Sequence, residues 1–239
     1  MHSVVRRALN QALDWGLLGR NPIKGAKQPA LKNKEIKSLT VKQINDLLDA
    51  VKDTRYEALH YLAVTTGLGQ GELLGLNFDD IDFNNNLVKI QRQLQRISEQ
   101  GLIFTEPKTQ RVKRIIALGN VAIEKLNAQI SIIVKGKLLA GERWQEDNLV
   151  FHSSIGTPHE PRNLYRHFQT ILKKARISKK RFHDLRHTAA KMMFKEGVHP
   201  KIVQERLGHS SITITLDTYS HAIPSLQRNI AKRLDELFE

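Results

Sequence analysis

The spacing of apolar side chains changes twice along the chain, and this change constrains the fold more than any other feature. Between residues 40 and 76 apolar residues recur every three or four positions, which predicts helices. Between residues 81 and 118 they form short runs separated by turn residues, which predicts strands. Helical spacing returns from residue 120 onward. The pattern therefore predicts a mainly α-helical chain with a small antiparallel β-sheet, a fold of the α+β class.

Capping and stop signals predict where several elements begin and end. Thr40-x-x-Gln43 and Thr54-x-x-Glu57 have the capping-box pattern, so a helix is expected after each threonine. His199-Pro200 is expected to open another helix, which runs to Leu207. The strand runs are 87–90, 102–104 and 112–116. The remaining helices are predicted at 2–18, 120–140, 161–176, 184–197, 210–219 and 226–238.

The chain is strongly basic, with 38 Lys and Arg against 24 Asp and Glu in 239 residues and a formal net charge of +14. Such an excess predicts a polyanionic partner, and nucleic acid is favoured because basic side chains release its counterions on binding. A membrane surface is the rival polyanion, but the sequence contains no apolar run of the ~18 residues that a span requires. Cysteine is absent, which excludes disulfides and thiolate metal sites. These features lead us to expect a soluble, cytoplasmic protein.

The densest basic stretch lies between residues 161 and 181 and overlaps a predicted helix. Contact with the DNA backbone is the simplest explanation for so many cations on one segment. A solvated helix face is the alternative explanation. The residues expected to contact DNA are Arg162, Arg166, Lys173, Lys174, Lys179 and Lys180.

Residues 181–221 bring phosphate-binding and proton-handling groups together. His183 and Arg186 are three positions apart at the start of a helical run, so both project from one helix face. Arginine offers a planar fork of donors that suits a phosphate, and histidine exchanges a proton near neutral pH. Tyr219 offers a hydroxyl that can act as a nucleophile. Each residue alone is more often structural, but together they suggest phosphoryl transfer.

The ordered set His183-x-x-Arg186, Leu207-Gly208-His209 and Tyr219 resembles the signature of the tyrosine recombinase (phage integrase) family. The resemblance implies the catalytic-domain fold of that family and a reaction that needs no cofactor and no metal. It implies that Arg186 clamps a DNA phosphate and that His209 donates a hydrogen bond to it. His183 would accept the proton of Tyr219, which would carry a 3′-phosphotyrosyl link.

Two further segments carry the resemblance. Pro107-Lys108-Thr109 is similar to the family's Pro-Lys-Thr motif, which implies that Lys108 protonates the leaving 5′-oxygen. Residues 66–73 resemble the first arginine motif, usually Thr-Gly-Leu-Arg-x-Gly-Glu-Leu, but Gly69 stands at the position of the catalytic arginine. A glycine has neither the charge nor the reach of a guanidinium. We therefore expect a chain that binds DNA and cleaves it slowly or not at all.

The resemblance also implies a domain organisation and a set of partners. Residues 39–239 correspond to the catalytic domain, 22–38 to a basic linker, and 1–21 to the last helix of a core-binding domain whose earlier part is missing. The expected partner is double-stranded attachment-site DNA, on which the chain would assemble as a tetramer. Accessory DNA-bending or directionality factors are also expected.

Two other functions remain open. In a metallohydrolase, His183 and His187 are spaced as metal ligands on one helix and His209 is a third ligand, although Asp184 replaces the glutamate usual in such motifs. In a non-catalytic DNA-binding remnant or regulator, Gly69 would reflect lost activity.

Overall fold

The computed structural model describes residues 2–25, 38–106, 113–145, 148–219 and 234–238. The helices are α1 (His2–Asp14), α2 (Val41–Val51), α3 (Glu57–Thr66), α4 (Gln70–Leu74), α5 (Asn120–Ala140), α6 (Pro161–Lys174), α7 (His183–Lys195), α8 (Pro200–Leu207) and α9 (Ile212–Tyr219). The strands are β1 (Ile81–Asp82), β2 (Leu87–Ile90), β3 (Gln93–Ile97), β4 (Gly101–Thr105) and β5 (Arg114–Ala117). The predicted α+β class, mainly helical, is confirmed.

The chain divides into two compact units, Met1–Glu35 and Ile36–Glu239. In the first unit α1 ends at Asp14, earlier than predicted, because Gly16 takes a positive φ of 72°. The amide of Leu17 then donates to the Ala12 carbonyl at 2.9 Å, which closes a Schellman-type helix end. The predicted linker 22–38 falls largely on residues 26–37, which lie outside the described ranges.

The two predicted capping boxes have different outcomes. At the start of α2 the Thr40 hydroxyl accepts from the Gln43 amide at 3.2 Å, and the Gln43 side chain accepts from the Thr40 amide at 3.0 Å, so this box is confirmed. The second box is wrong. Tyr56, not Thr54, is the N-cap residue of α3, which begins at Glu57, and the Glu57 side chain accepts from the Asp53 amide at 2.8 Å.

The strands form two small sheets, whereas the sequence predicted one. An antiparallel sheet has the order β1-β2-β5, with Val88 opposite Ile116, and β3 and β4 form a separate hairpin. The sequence did not predict β3, because polar residues occupy most of its five positions. Close packing on α4 holds β3 in place: a Cβ at Gly71 would lie 2.8 Å from the Leu94 carbonyl oxygen.

Helix α3 lies at the centre of the second unit and packs against α2, α5 and α7. Its Leu59, Leu62 and Ala63 are fully buried, and Phe168 of α6 belongs to the same core. A smaller apolar cluster joins α7 to α8 through Phe194 and Leu207. This packing brings the end of α3, the start of α7 and the end of α8 into one region.

The other predicted helices agree closely with α5, α6, α7, α8 and α9. Of the helix predicted at 226–238, residues 234–238 are helical and the rest lies outside the described residues. Within the ranges given above, no helix combines the length and the apolar character that a membrane crossing requires.

Candidate active site

The carboxyl end of α8 binds two arginines. Arg186 donates from Nη2 to the Leu207 carbonyl, and Arg114 donates from Nε to the Arg206 carbonyl at 2.8 Å. The last carbonyls of a helix lack intrahelical partners and carry partial negative charge, so guanidinium groups suit this position. Gly208, with φ of 70°, ends the helix and leads directly to His209. The Leu-Gly-His motif therefore places His209 at the end of the helix that anchors both arginines.

Arg186 is held by two helix ends and one carboxylate. Its Nη1 donates to the Gly67 carbonyl at the end of α3, at 3.1 Å, and lies 3.6 Å from Glu72 Oε2. Its side chain is only 11% exposed. This predicted catalytic residue is thus held from several sides by the fold.

Glu72 is the carboxylate that joins these groups. Arg114 binds it with both terminal nitrogens, at 2.6 and 3.1 Å, and the Gly69 amide donates to Oε2 at 2.7 Å. Burial acts to raise the pKa of Glu72, but the hydrogen bonds and charge of Arg114, with the charge of Arg186, hold this pKa below its ordinary value. The carboxylate is therefore ionised at neutral pH.

Glu72 and Arg114 are site residues that were not predicted from the sequence. Glu72 belongs to the Gly-Glu-Leu part of the first arginine motif, and that signal was available. Arg114 is one of several basic residues in a strand-type run, and nothing local distinguishes it from its neighbours.

Three histidines surround Arg186. The rings of His183 and His187 lie with centroids 4.7 Å apart and nearly perpendicular, and His209 Nδ1 lies 2.8 Å from the Thr215 hydroxyl. Burial, followed by the charge of Arg186, lowers the pKa of His209 to about 4. Burial also lowers the pKa of His187 to about 4, and the same cause, with the charges of Arg186 and Arg181, lowers that of His183. All three rings are therefore neutral at pH 7.

Gly69 occupies a backbone conformation that any amino acid can adopt, with φ of −71° and ψ of 158°. A Cβ at this position would lie 3.4 Å from Glu72 Oε2, which is an ordinary van der Waals contact. The fold therefore does not require glycine here. The neighbouring Gln70 donates its amide to the Pro161 carbonyl at 2.6 Å.

The structure brings His183, Arg186 and His209 of the predicted catalytic set together. Tyr219 is the last residue of α9, and its side chain lies outside the described part of the structure. Lys108 also lies outside it. His183, His187 and His209 are the residues of the metal-site alternative. Among the described residues, no group of three or more His, Cys, Asp or Glu is arranged to hold a metal ion.

The residues predicted to contact DNA fall into two groups. Lys174 donates from Nζ to the Ala50 carbonyl at 3.0 Å, so it ties α6 to the end of α2. Lys180 is partly buried. Lys174 is nevertheless exposed, as are the other four predicted residues, which are Arg162, Arg166, Lys173 and Lys179.

Comparison with known proteins identifies the family. The model of the phage integrase family matches residues 37–225. A XerC-like tyrosine recombinase of Caldanaerobacter subterraneus subsp. tengcongensis is 34% identical over 255 residues, which cover 100% of this chain and 65% of that protein. The ICEBs1 integrase of Bacillus subtilis is 26% identical over 237 residues, which cover 97% of this chain and 63% of that integrase. The chain thus spans less than two thirds of the length of either relative.

Solved structures share the fold. The Tn1549 transposon integrase in complex with circular intermediate DNA superposes with a TM-score of 0.80 at 24% identity, covering 98% of this chain and 78% of that one. The XerA recombinase superposes with a TM-score of 0.64 at 20% identity, covering 97% and 74%. The chain belongs to the phage integrase family and has the fold of a tyrosine recombinase catalytic domain.

Proposed function

We propose that this chain is the catalytic part of a site-specific DNA recombinase that breaks and rejoins strands through a 3′-phosphotyrosyl intermediate. The observation that carries the proposal is the convergence of Arg186, His183, His187 and His209 near the end of α8. Relatives named as a tyrosine recombinase and as integrases support it.

In the proposed reaction the Tyr219 oxygen attacks a DNA phosphorus atom, and the bond to the 5′-oxygen breaks. His183 accepts the tyrosine proton, because its lowered pKa leaves the ring unprotonated at pH 7 and therefore able to take up a proton. Lys108 gives a proton to the leaving 5′-oxygen. The phosphotyrosyl bond retains the energy of the broken strand, so rejoining needs no nucleotide.

Arg186 stabilises the charge that develops on the non-bridging oxygens, which is usually the largest catalytic contribution. For His209 to donate from Nε2 to the phosphate its Nδ1 must accept a hydrogen bond, and the Thr215 hydroxyl, 2.8 Å away, can donate it. The same hydrogen bond ties His209 to α9, the helix that ends at Tyr219.

We also propose the arrangement of domains and partners that the family suggests. Residues 39–239 act as the catalytic domain, 22–38 as the basic linker and 1–21 as the last helix of a core-binding domain. Attachment-site DNA is the substrate, a tetramer forms on it, and DNA-bending or directionality factors assist. The exposed cations of α6 contact phosphates on this DNA.

Gly69 removes one guanidinium from the site, and we propose that cleavage is correspondingly slow. The loss of one such donor costs about 2.7–4 kcal/mol, or about 10²- to 10³-fold in rate. A second candidate function follows from the same residue: the chain acts as a DNA-binding regulator without cleavage.

A covalent-complex assay separates these two functions. Attachment-site DNA is recovered by selecting bound fragments from a random pool, then nicked near the cleavage site so that the complex cannot religate. Gly69→Arg should form the complex about 10²- to 10³-fold faster than the native chain. Gly69→Ala supplies the Cβ without the charge and should match the native chain, and Tyr219→Phe should form no complex.

Each outcome has a definite meaning. Equal, rapid complex formation by the native chain and Gly69→Arg would contradict the proposed impairment. Tight DNA binding with no complex from either protein would favour the regulator.

A further inference from the structure

The two arginines on Glu72 are not equivalent. Arg114 contacts both carboxylate oxygens, at 2.6 and 3.1 Å, whereas Arg186 lies 3.6 Å from one of them. Arg186 instead donates hydrogen bonds to the carbonyls of Gly67 and Leu207. Arg114 therefore neutralises the carboxylate, and Arg186 is oriented mainly by helix ends.

The fold is built closely around Arg114. Its side chain is 6% exposed, and Nε donates to the last turn of α8 at Arg206. A Cβ at Gly208, the residue before His209, would lie 2.8 Å from Arg114 Nη1. Glycine at this position therefore leaves room for the guanidinium of Arg114. A charged group is buried in this way only where it is paired, because burial of an unpaired charge is costly.

We propose that Arg114 is a positioning residue for the recombination reaction. It pairs with the Glu72 carboxylate, so that Arg186 stays hydrogen-bonded to the helix-end carbonyls and its charge can stabilise the DNA phosphate. The proposal rests on the function proposed above. With Gly69 in place, Arg114 is the second guanidinium of the site.

Charge balance gives the physical reason. Glu72, Arg114 and Arg186 together carry one net positive charge, which is available to a phosphate. Without Arg114, the buried carboxylate would have Arg186 as its remaining arginine partner and would draw it from 3.6 Å into direct contact. That pair would be neutral, and the phosphate would lose the charge that stabilises it.

The test uses Arg114→Met, Arg114→Lys, Glu72→Gln and the double variant Arg114→Met/Glu72→Gln. Arg114→Met should slow covalent-complex formation about 10- to 100-fold, with DNA affinity little changed. This magnitude is taken by analogy from residues that orient the ligands of metal sites. The double variant should regain most of this loss, because a neutral glutamine no longer needs a countercharge. Arg114→Lys should lie between native and Arg114→Met.

A second readout does not require cleavage. Inorganic phosphate is titrated while the ring signals of His209 are followed by NMR, so the measurement remains decisive even if no variant forms a covalent complex. Phosphate affinity should fall at least about tenfold in Arg114→Met and recover in the double variant. Arg92→Met is the matched control, because Arg92 pairs with the buried Asp80 at 2.7 Å in another part of the fold.

Arg92→Met should lower the melting temperature without changing phosphate affinity. Unchanged phosphate affinity in a folded Arg114→Met protein would overturn the proposal. A double variant as impaired as Arg114→Met would also overturn it.

Discussion

Two glycines near the site, Gly67 and Gly69, have opposite structural requirements. Gly67 has φ of +71°, and a Cβ there would lie 2.5 Å from the Leu207 side chain. Gly69 has φ of −71°, and a Cβ there meets only an ordinary contact with Glu72. Gly67 is therefore required by the turn that carries the Arg186 acceptor, whereas nothing in the fold requires Gly69.

We expect Gly67→Ala to lower the free energy of unfolding by about 2–4 kcal/mol, from left-handed backbone strain and overpacking against Leu207. Gly69→Ala should change it by less than about 1 kcal/mol, because its backbone suits alanine. Urea denaturation of both variants measures the difference. Similar losses in the two proteins would contradict this account of the site.

The interface between α3 and α6 contains buried histidines. The His60 ring packs 6.0 Å from that of Phe168, and the ring of His167 stacks on Tyr56 at 3.7 Å. His159 Nε2 lies 3.1 Å from the Tyr56 hydroxyl. Burial lowers the pKa of His60 and of His167 to about 4, and the neighbouring histidines add to the effect.

We expect the free energy of unfolding to fall as the pH decreases from about 6.5 to about 4. The unfolded chain binds protons at these histidines near pH 6.5, whereas the folded chain does so only near pH 4, so acid favours unfolding. His60 alone should contribute on the order of 3 kcal/mol over this range.

Urea denaturation at several pH values between 4 and 7 measures the dependence, with His60→Phe as the matched variant. The free energy of unfolding of His60→Phe should depend less steeply on pH than that of the native chain. The substitution leaves the helical hydrogen bond from the residue 60 amide to the Tyr56 carbonyl, at 3.1 Å, in place. Identical slopes for the two proteins would assign the acid sensitivity to other groups.

At the scale of the whole molecule, a net charge of +14 predicts DNA binding that weakens steeply with salt. The structure assigns the cations of α6 to two roles. Arg162, Arg166 and Lys174 are all exposed, but the Lys174 ammonium is bonded to the Ala50 carbonyl.

Arg162→Gln and Arg166→Gln should each reduce the slope of log affinity against log salt by about 0.9, because each loses one phosphate contact. Lys174→Gln should leave the slope unchanged and lower the melting temperature. Fluorescence anisotropy with labelled duplex DNA at several salt concentrations gives the slopes. A reduced slope for Lys174→Gln alone would reverse the assignment.

Features that depend on neighbouring residues could be predicted from the amino-acid sequence. The α2 capping box joins residues three apart, and the helical spacing of α5 to α9 repeats every three or four positions. The densely spaced His183-x-x-Arg186 and Leu-Gly-His motifs made the family resemblance visible. A local signal also failed at Thr54, because the chain forms a turn there and Tyr56, not Thr54, takes the N-cap position of α3.

Which distant groups share the site depends on the packing of the helices and could not be predicted from the sequence. Glu72 and Arg114 are 42 residues apart, and Arg186 and the Gly67 carbonyl are 119 apart. No local periodicity encodes such pairs, because they depend on how α3, α7 and α8 pack around the core. The same holds for β3, whose polar sequence becomes a strand only through its pairing with β4 and its close contact with α4.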